Sequence, residues 1–148
     1  RAGIVKSALG IGSLLHEGIG DTLRVSLTAD VEEEVKVGFD ILRVLGLYNK
    51  GINFISCPTC ARTSYNLIPI VDELEKRLSD VKDPLTVAVM GCAVNGPGEA
   101  KGADIALVGG TEEHNFIFIN GEMVEKVLKA ESVDVMEKTV RQLVAKNK

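Results

Sequence analysis

The sequence has 148 residues, 45% of them hydrophobic and 26% charged, with a formal net charge of −4 and a pI of about 5.2. This balance excludes a disordered chain, and the length suits one compact domain, or one domain plus part of another. Tryptophan is absent, aromatics are few and charges are mixed, so neither nucleic acid nor an anionic membrane is an expected partner.

No apolar run approaches the ~20 residues of a membrane-spanning helix. The opening residues lack a basic segment, a long apolar core and a cleavage site, so no secretory signal is expected. The chain opens on Arg1, from which a fragment or a processed chain is expected. The three cysteines are an odd number and would leave a disulfide framework one thiol over. A reducing cytoplasm is therefore expected, where clustered cysteines bind metal or do redox chemistry.

In chain order, Ile4, Val5, Ala8, Ile11 and Leu15 recur at helical spacing, interrupted by Gly10 and Gly12. Gly18 to Asp21 reads as a turn. Leu23 to Thr28 alternates strictly and predicts a strand. Asp30 predicts an N-cap, with Glu33 as capping-box partner, for a helix from Val31 to Leu47. Val35, Phe39, Leu42 and Leu45 form its apolar face. Helix–strand–helix is the rhythm of α/β architecture.

Tyr48 to Gly51 breaks the pattern and predicts a boundary between a segment 1–50 and a domain 51–148. Ile52 to Ser56 reads as a short strand that runs into Cys57. Asn66 to Leu78 predicts an amphipathic helix with Leu67, Ile70, Val71, Leu74 and Leu78 on one face. Leu85 to Met90 predicts a buried strand and is followed at once by Gly91-Cys92. Asp104 to Val108 and Phe116 to Ile119 predict two more. Asn120-Gly121 makes a hairpin turn into Met123 to Leu128, and Ser132 caps a last helix reaching about Ala145.

The chemistry sits beside two of these strands. Cys57-Pro58-Thr59-Cys60 can turn two sulfurs toward one metal or form a redox pair. Gly91-Cys92-Ala93-Val94-Asn95-Gly96-Pro97-Gly98-Glu99 places a third cysteine past another strand. Neighbouring parallel strands would bring these ends together. The glycines permit positive φ and close approach, so that backbone N–H groups can point at an anionic cluster. Three thiolates leave one iron of a cubane without sulfur, and Glu99, seven residues past Cys92, could reach it. A carboxylate is harder than a thiolate and should exchange more readily.

The motif Cys57-Pro58-Thr59-Cys60, followed by Met90 to Ala100, closely resembles the C-terminal region of the (E)-4-hydroxy-3-methylbut-2-enyl diphosphate synthase family. Gly18 to Leu27, Lys36 to Leu42 and Gly51 to Ser56 resemble the same family. The likeness runs from the first residues to about Gly110. It implies an iron–sulfur oxidoreductase of isoprenoid (terpenoid) biosynthesis by the methylerythritol phosphate pathway. The implied reaction is reductive ring opening and dehydration of 2-C-methyl-D-erythritol 2,4-cyclodiphosphate to hydroxymethylbutenyl diphosphate.

The resemblance further implies a [4Fe-4S] cluster held by Cys57, Cys60, Cys92 and Glu99, with flavodoxin or ferredoxin as electron donor. Asn95 matches an asparagine beside the substrate. Arg24 and Ser26 match diphosphate contacts on the last strand of a (β/α)8 barrel, and two residues apart on a strand they share a face. The implied fold is α/β, a small mixed-sheet domain like the repeat of sulfite and nitrite reductases, preceded by a remnant of the barrel. Such a chain is expected not to turn over substrate alone. The full-length enzyme would be a homodimer in which one subunit's cluster domain can cap the other's barrel.

Blander readings stand beside these. The three sulfurs could hold zinc with His16 or His114 as part of a non-enzymatic module, form a thiol–disulfide pair, or simply fill a core. Glu99 could be a solvated loop residue, Asn95 ordinary turn chemistry before a glycine, and Arg24 and Ser26 the wet face of a strand. Gly3 to Ser7 lacks the glycine spacing and preceding strand of a phosphate loop.

Overall fold

The structure, a computed structural model, describes residues 2–146. The chain divides into two compact units, Arg1–Asn49 and Lys50–Lys148.

The first unit holds helix α1 (Ala2–His16) and helix α2 (Val31–Val44). Its core is Val25, Val37 and Ile41, with Ile11, Leu15, Leu23, Leu27 and Leu45 packed around them. The strand expected at Leu23 to Thr28 does not form. A ladder needs a neighbour, and the first unit supplies no second strand among its described residues. The alternation survives nonetheless: Val25 is buried, Leu23 and Leu27 are half-buried, and Arg24 and Ser26 are exposed. The Leu27 N–H donates instead to Glu34 Oε1 at 2.7 Å.

Two expectations for α2 are corrected. Asp30 makes no side-chain cap, and Glu33 pairs with Lys36 at 2.6 Å rather than closing a capping box. The buried stripe is Val37, Gly38 and Ile41, whereas Val35 is 54% exposed and Phe39 37%. Both stripes are apolar, and Gly38 decides between them. A Cβ there would lie 3.2 Å from Leu23 Cδ1, so this face sits closest to the 23–27 segment. Phe39 packs on Tyr48, with ring centroids 4.7 Å apart. The helix stops before Leu47 because Gly46 takes φ +70, and the Gly46 and Leu47 N–H groups return to the Arg43 and Leu42 carbonyls.

The second unit is a five-stranded mixed sheet in the order β1-β2-β3-β4-β5. The strands are β1 (Ile52–Ser56), β2 (Leu85–Met90), β3 (Ile105–Gly109), β4 (His114–Ile119) and β5 (Glu122–Leu128). The β1–β2 and β2–β3 pairings are parallel, and the β3–β4 and β4–β5 pairings are antiparallel. Helix α3 (Leu67–Arg77) joins β1 to β2, short α4 (Gly96–Ala100) joins β2 to β3, and α5 (Ser132–Lys146) follows a 3₁₀ turn at Lys129–Glu131. Asn120 and Gly121 both take positive φ, 51° and 81°, as the tight hairpin between β4 and β5 requires.

Alternation sorts β2 and β3 into two layers. Val87, Val89, Ile105 and Leu107 meet Leu74 of α3 and Met136 and Val140 of α5. Ala88, Met90, Ala106 and Val108 meet Ala100 of α4 and Ala103 on the other face. Strands covered on both sides read as unbroken apolar runs, which is why β2 and β3 lack polar alternation. Outside the core, Arg141 reaches Asp80 at 2.9 Å and Arg77 reaches Asp134 at 2.6 Å, tying α5 to α3 and the turn after it.

Ser132 is not the N-cap expected. The 3₁₀ turn feeds the chain directly into α5, and the buried Ser132 Oγ donates to the Leu128 carbonyl at 3.1 Å. It also accepts from Nδ2 of the fully buried Asn115 at 3.0 Å.

Candidate metal centre

Parallel pairing sets Ser56 of β1 against Val89 of β2, so Cys57 and Gly91-Cys92 leave the sheet side by side. The Cys57 N–H continues the ladder to the Val89 carbonyl at 3.4 Å. In return the Gly91 N–H donates to Cys57 Sγ at 3.2 Å. Cys57 is half-buried, Cys60 exposed and Cys92 buried, and all three are free thiols.

The loop carrying Cys60 is strapped to the loop carrying Cys92. The Cys60 N–H donates to Thr63 Oγ1 at 3.1 Å, and the Thr63 N–H returns to the Cys60 carbonyl at 3.0 Å. Ser64 donates its N–H (2.8 Å) and its hydroxyl (3.2 Å) to the Gly91 carbonyl. Tyr65 donates to the Met90 carbonyl at 3.1 Å, and Lys129 Nζ to the Ser64 carbonyl at 2.6 Å.

Glycines allow this closeness, though not by the positive φ expected of them. Among the described residues, Gly91, Gly96 and Gly98 are absent from the left-handed region. A Cβ on Gly91 would fall 2.8 Å from Thr63 Cγ2, and one on Gly109 would fall 2.6 Å from Ser64 Oγ. Gly96 rests on Val108 with no room for a Cβ at all.

The Cys92 thiol is held below its ordinary range by the backbone N–H groups of Asn95 and Val94, against the opposing effect of burial. The Arg62 charge and the Gly96 N–H add to this. Backbone donors favour a thiolate, the form that binds metal. The segment expected as a loop winds into α4, beginning with the Gly96 N–H bonded to the Cys92 carbonyl at 3.2 Å. Pro97 sits in its first turn, where a missing N–H costs nothing. Glu99 lies within this short helix, which covers Gly96–Ala100. Glu99 is exposed, and its carboxylate has no hydrogen-bond or ion-pair partner among the described residues. Asn95 is exposed too, and its side chain makes no cap to α4.

Among the described residues, no three His, Cys, Asp or Glu side chains are gathered closely enough to hold a single metal ion. A cluster of several irons asks for something different: sulfurs spread around its perimeter and N–H donors aimed at them. Cys57 and Cys92 each have such donors, Cys60 lies on the strapped loop, and Glu99 is an uncommitted oxygen donor. The donor set fits an iron–sulfur cluster. Arg24 and Ser26 belong to the first unit, two residues apart and both exposed beside buried Val25.

Thr63, Ser64, Tyr65, Lys129 and Arg62 were not singled out by sequence. Four of them, Arg62 to Tyr65, form a polar run that begins two residues past Cys60. Lys129 lies 65 residues from its partner Ser64 and carried no local signal.

Parallel strands that bring Cys57 and Cys92 to one end of a five-stranded mixed sheet define an α/β domain. A family model described as the GcpE protein C-terminal domain matches residues 53–142, and one described as the GcpE TIM-barrel domain matches residues 1–39. The chain belongs to the GcpE family. It is 55% identical over 145 residues to a protein of Pseudomonas fluorescens named 4-hydroxy-3-methylbut-2-en-1-yl diphosphate synthase (flavodoxin), covering 98% of this chain and 39% of that protein. Proteins of the same name from Geobacter sulfurreducens and Cellvibrio japonicus are each 54% identical, over 97% and 95% of this chain and 40% and 37% of theirs. The chain thus spans about two fifths of the length of these relatives.

Proposed function

We propose that this chain is the cluster-bearing end of a 4-hydroxy-3-methylbut-2-enyl diphosphate synthase, with a [4Fe-4S] cluster held by Cys57, Cys60, Cys92 and Glu99. The observation that carries the reading is the parallel β1–β2 pairing. It delivers Cys57 beside Gly91-Cys92, with backbone N–H groups directed at both sulfurs. When bound, the cluster supplies electrons and a Lewis-acidic iron.

The reaction is reductive ring opening of 2-C-methyl-D-erythritol 2,4-cyclodiphosphate. It consumes two electrons and two protons, and releases one water with hydroxymethylbutenyl diphosphate. Flavodoxin, which the relatives' names carry, is the proposed donor. Backbone N–H donors hold the Cys92 thiol below its ordinary range, which favours the thiolate form that ligates metal. Glu99 is unpartnered, so it can bind or leave without breaking a protein hydrogen bond. The free Asn95 side chain would orient the substrate, and Arg24 and Ser26 would hold its diphosphate.

Residues 1–50 would be the end of the barrel, and residues 51–148 the cluster domain. Exposed Leu9, Val35 and Val44 suit a piece of a larger barrel. The chain by itself is proposed to be inactive, because the rest of the anion site lies outside it. Cytoplasm is the proposed compartment, and a homodimer the proposed assembly of the whole enzyme.

Anaerobic reconstitution with iron and sulfide tests the reading, with Glu99→Ala alongside. About four irons and four sulfides per chain are expected, with one iron more labile in the variant. A colourless protein that takes up one zinc would overturn the cluster in favour of a structural metal.

A further inference from the structure

We propose that the Tyr65 hydroxyl tunes the Cys57 sulfur through the Met90–Gly91 peptide. The proposal rests on the cluster reading above for its effect on potential, though not for its geometry.

The peptide between Met90 and Gly91 is engaged at both ends. Tyr65 Oη donates to its carbonyl at 3.1 Å, and its N–H donates to Cys57 Sγ at 3.2 Å. A peptide group is one conjugated unit. A donor on its oxygen draws charge from nitrogen and makes the N–H a stronger donor, so the two bonds reinforce each other. Met90 is 1% exposed, which leaves no bulk water to take the place of a lost hydroxyl.

Tyr65 is itself half-buried. Burial, and then the Cys57 charge, push its hydroxyl well above the ordinary range. It therefore remains a proton donor at every physiological pH. Hydrogen bonds to cluster sulfurs are a lever on reduction potential, because a thiolate that shares its charge with a donor pushes less charge onto iron. Tyr65 is thus a positioning residue, acting on Cys57 through a backbone amide. Ser64 provides a built-in comparison, since its hydroxyl binds the Gly91 carbonyl, which belongs to the next peptide.

Tyr65→Phe keeps the ring and removes the hydroxyl; Ser64→Ala removes the neighbouring hydroxyl. In the apo chain, labelled with ¹⁵N, the Gly91 amide proton is expected to move upfield in Tyr65→Phe and to stay in place in Ser64→Ala. After anaerobic reconstitution, Tyr65→Phe is expected to have a more negative midpoint potential than the parent, with unchanged iron and sulfide content. An unmoved Gly91 proton, or an equal shift in both variants, would overturn the relay. An upfield shift without a change in potential would overturn the tuning. If the parent takes up no iron and sulfide, the cluster reading falls and the tuning with it, while the Gly91 proton still decides the relay.

Discussion

Gly96 and Val108 meet so closely that the first residue of α4 has no space for a Cβ over β3. This contact seats α4 on the sheet, and α4 carries Glu99. Gly96→Ala would place its methyl against a branched side chain in a fully buried strand. Overpacking of this kind costs about 1–3 kcal/mol. We expect Gly96→Ala to destabilise the second unit by that amount and the double variant with Val108→Ala to recover part of it. Urea unfolding followed at the Met136 methyl, which reports the second unit alone, measures both. Equal loss in the single and double variants would mean that the Gly96–Val108 contact is not the cause.

Lys129 Nζ lies 2.6 Å from the Ser64 carbonyl and so braces the loop that holds Cys60. A charged donor to a carbonyl contributes about 1.5–3 kcal/mol when well formed, and the partial exposure of the lysine brings this toward about 1 kcal/mol. Lys129→Met should therefore speed amide exchange at Ser64, whose N–H is held by Gly91, by roughly 5-fold. Exchange in α5 should stay as it was. An unchanged Ser64 rate would show that the strap stands without its cation.

Much of the second unit was legible from short-range pattern. β1 and β2 lie where apolar runs end at Cys57 and Gly91, and Asn120-Gly121 marks its hairpin. What the sequence hid was set by distant partners. Leu23 to Thr28 has a strand's alternation but no neighbour to pair with, and α2 carries two apolar stripes that only Gly38 distinguishes. The glycines of the Cys92 loop are expected from sequence to allow positive φ, whereas Gly91 and Gly96 instead make room for the side chains of Thr63 and Val108, distant along the chain. The three cysteines and Glu99 stand out as candidates by residue type and spacing. Tyr65 and Lys129 do not, because their roles exist only once the loops are strapped together.

Asn115 and Ser132 form a buried polar pair, 3.0 Å apart, beneath the entry to α5. Asn115 Oδ1 already lacks a partner among the described residues. Ser132→Ala would strand Nδ2 as well and free the Leu128 carbonyl. A buried donor left unmade costs about 1–3 kcal/mol, so the variant should lose stability in that range. Replacing both residues, Asn115→Val with Ser132→Ala, should cost less than the single change, because no amide is then left without a partner. Urea unfolding of the three proteins checks the order; a double variant weaker than Ser132→Ala would contradict the pairing.

Arg141 grips Asp80 with two nitrogens, at 2.9 and 3.1 Å, and Arg77 holds Glu73 at 2.7 Å. Hydrogen bonding to these arginines lowers both carboxyl pKa values from their ordinary range. A carboxyl whose folded pKa lies below its unfolded value stabilises the fold fully above the unfolded value, and that contribution is lost as pH falls through the folded one. The unfolded values are about 3.9 for Asp and 4.3 for Glu. Stability from these pairs should therefore be level between pH 7 and 5 and decline below about 4. Arg141→Met should be less stable than the parent at neutral pH, and the gap should narrow on acidification, since the protonated Asp80 no longer favours its arginine. Urea midpoints at neutral and acid pH, with salt held constant because exposed pairs are screened, measure the gap. A gap that stays constant into acid would assign the effect of Arg141 to packing of its stem on α3 instead of to its charge.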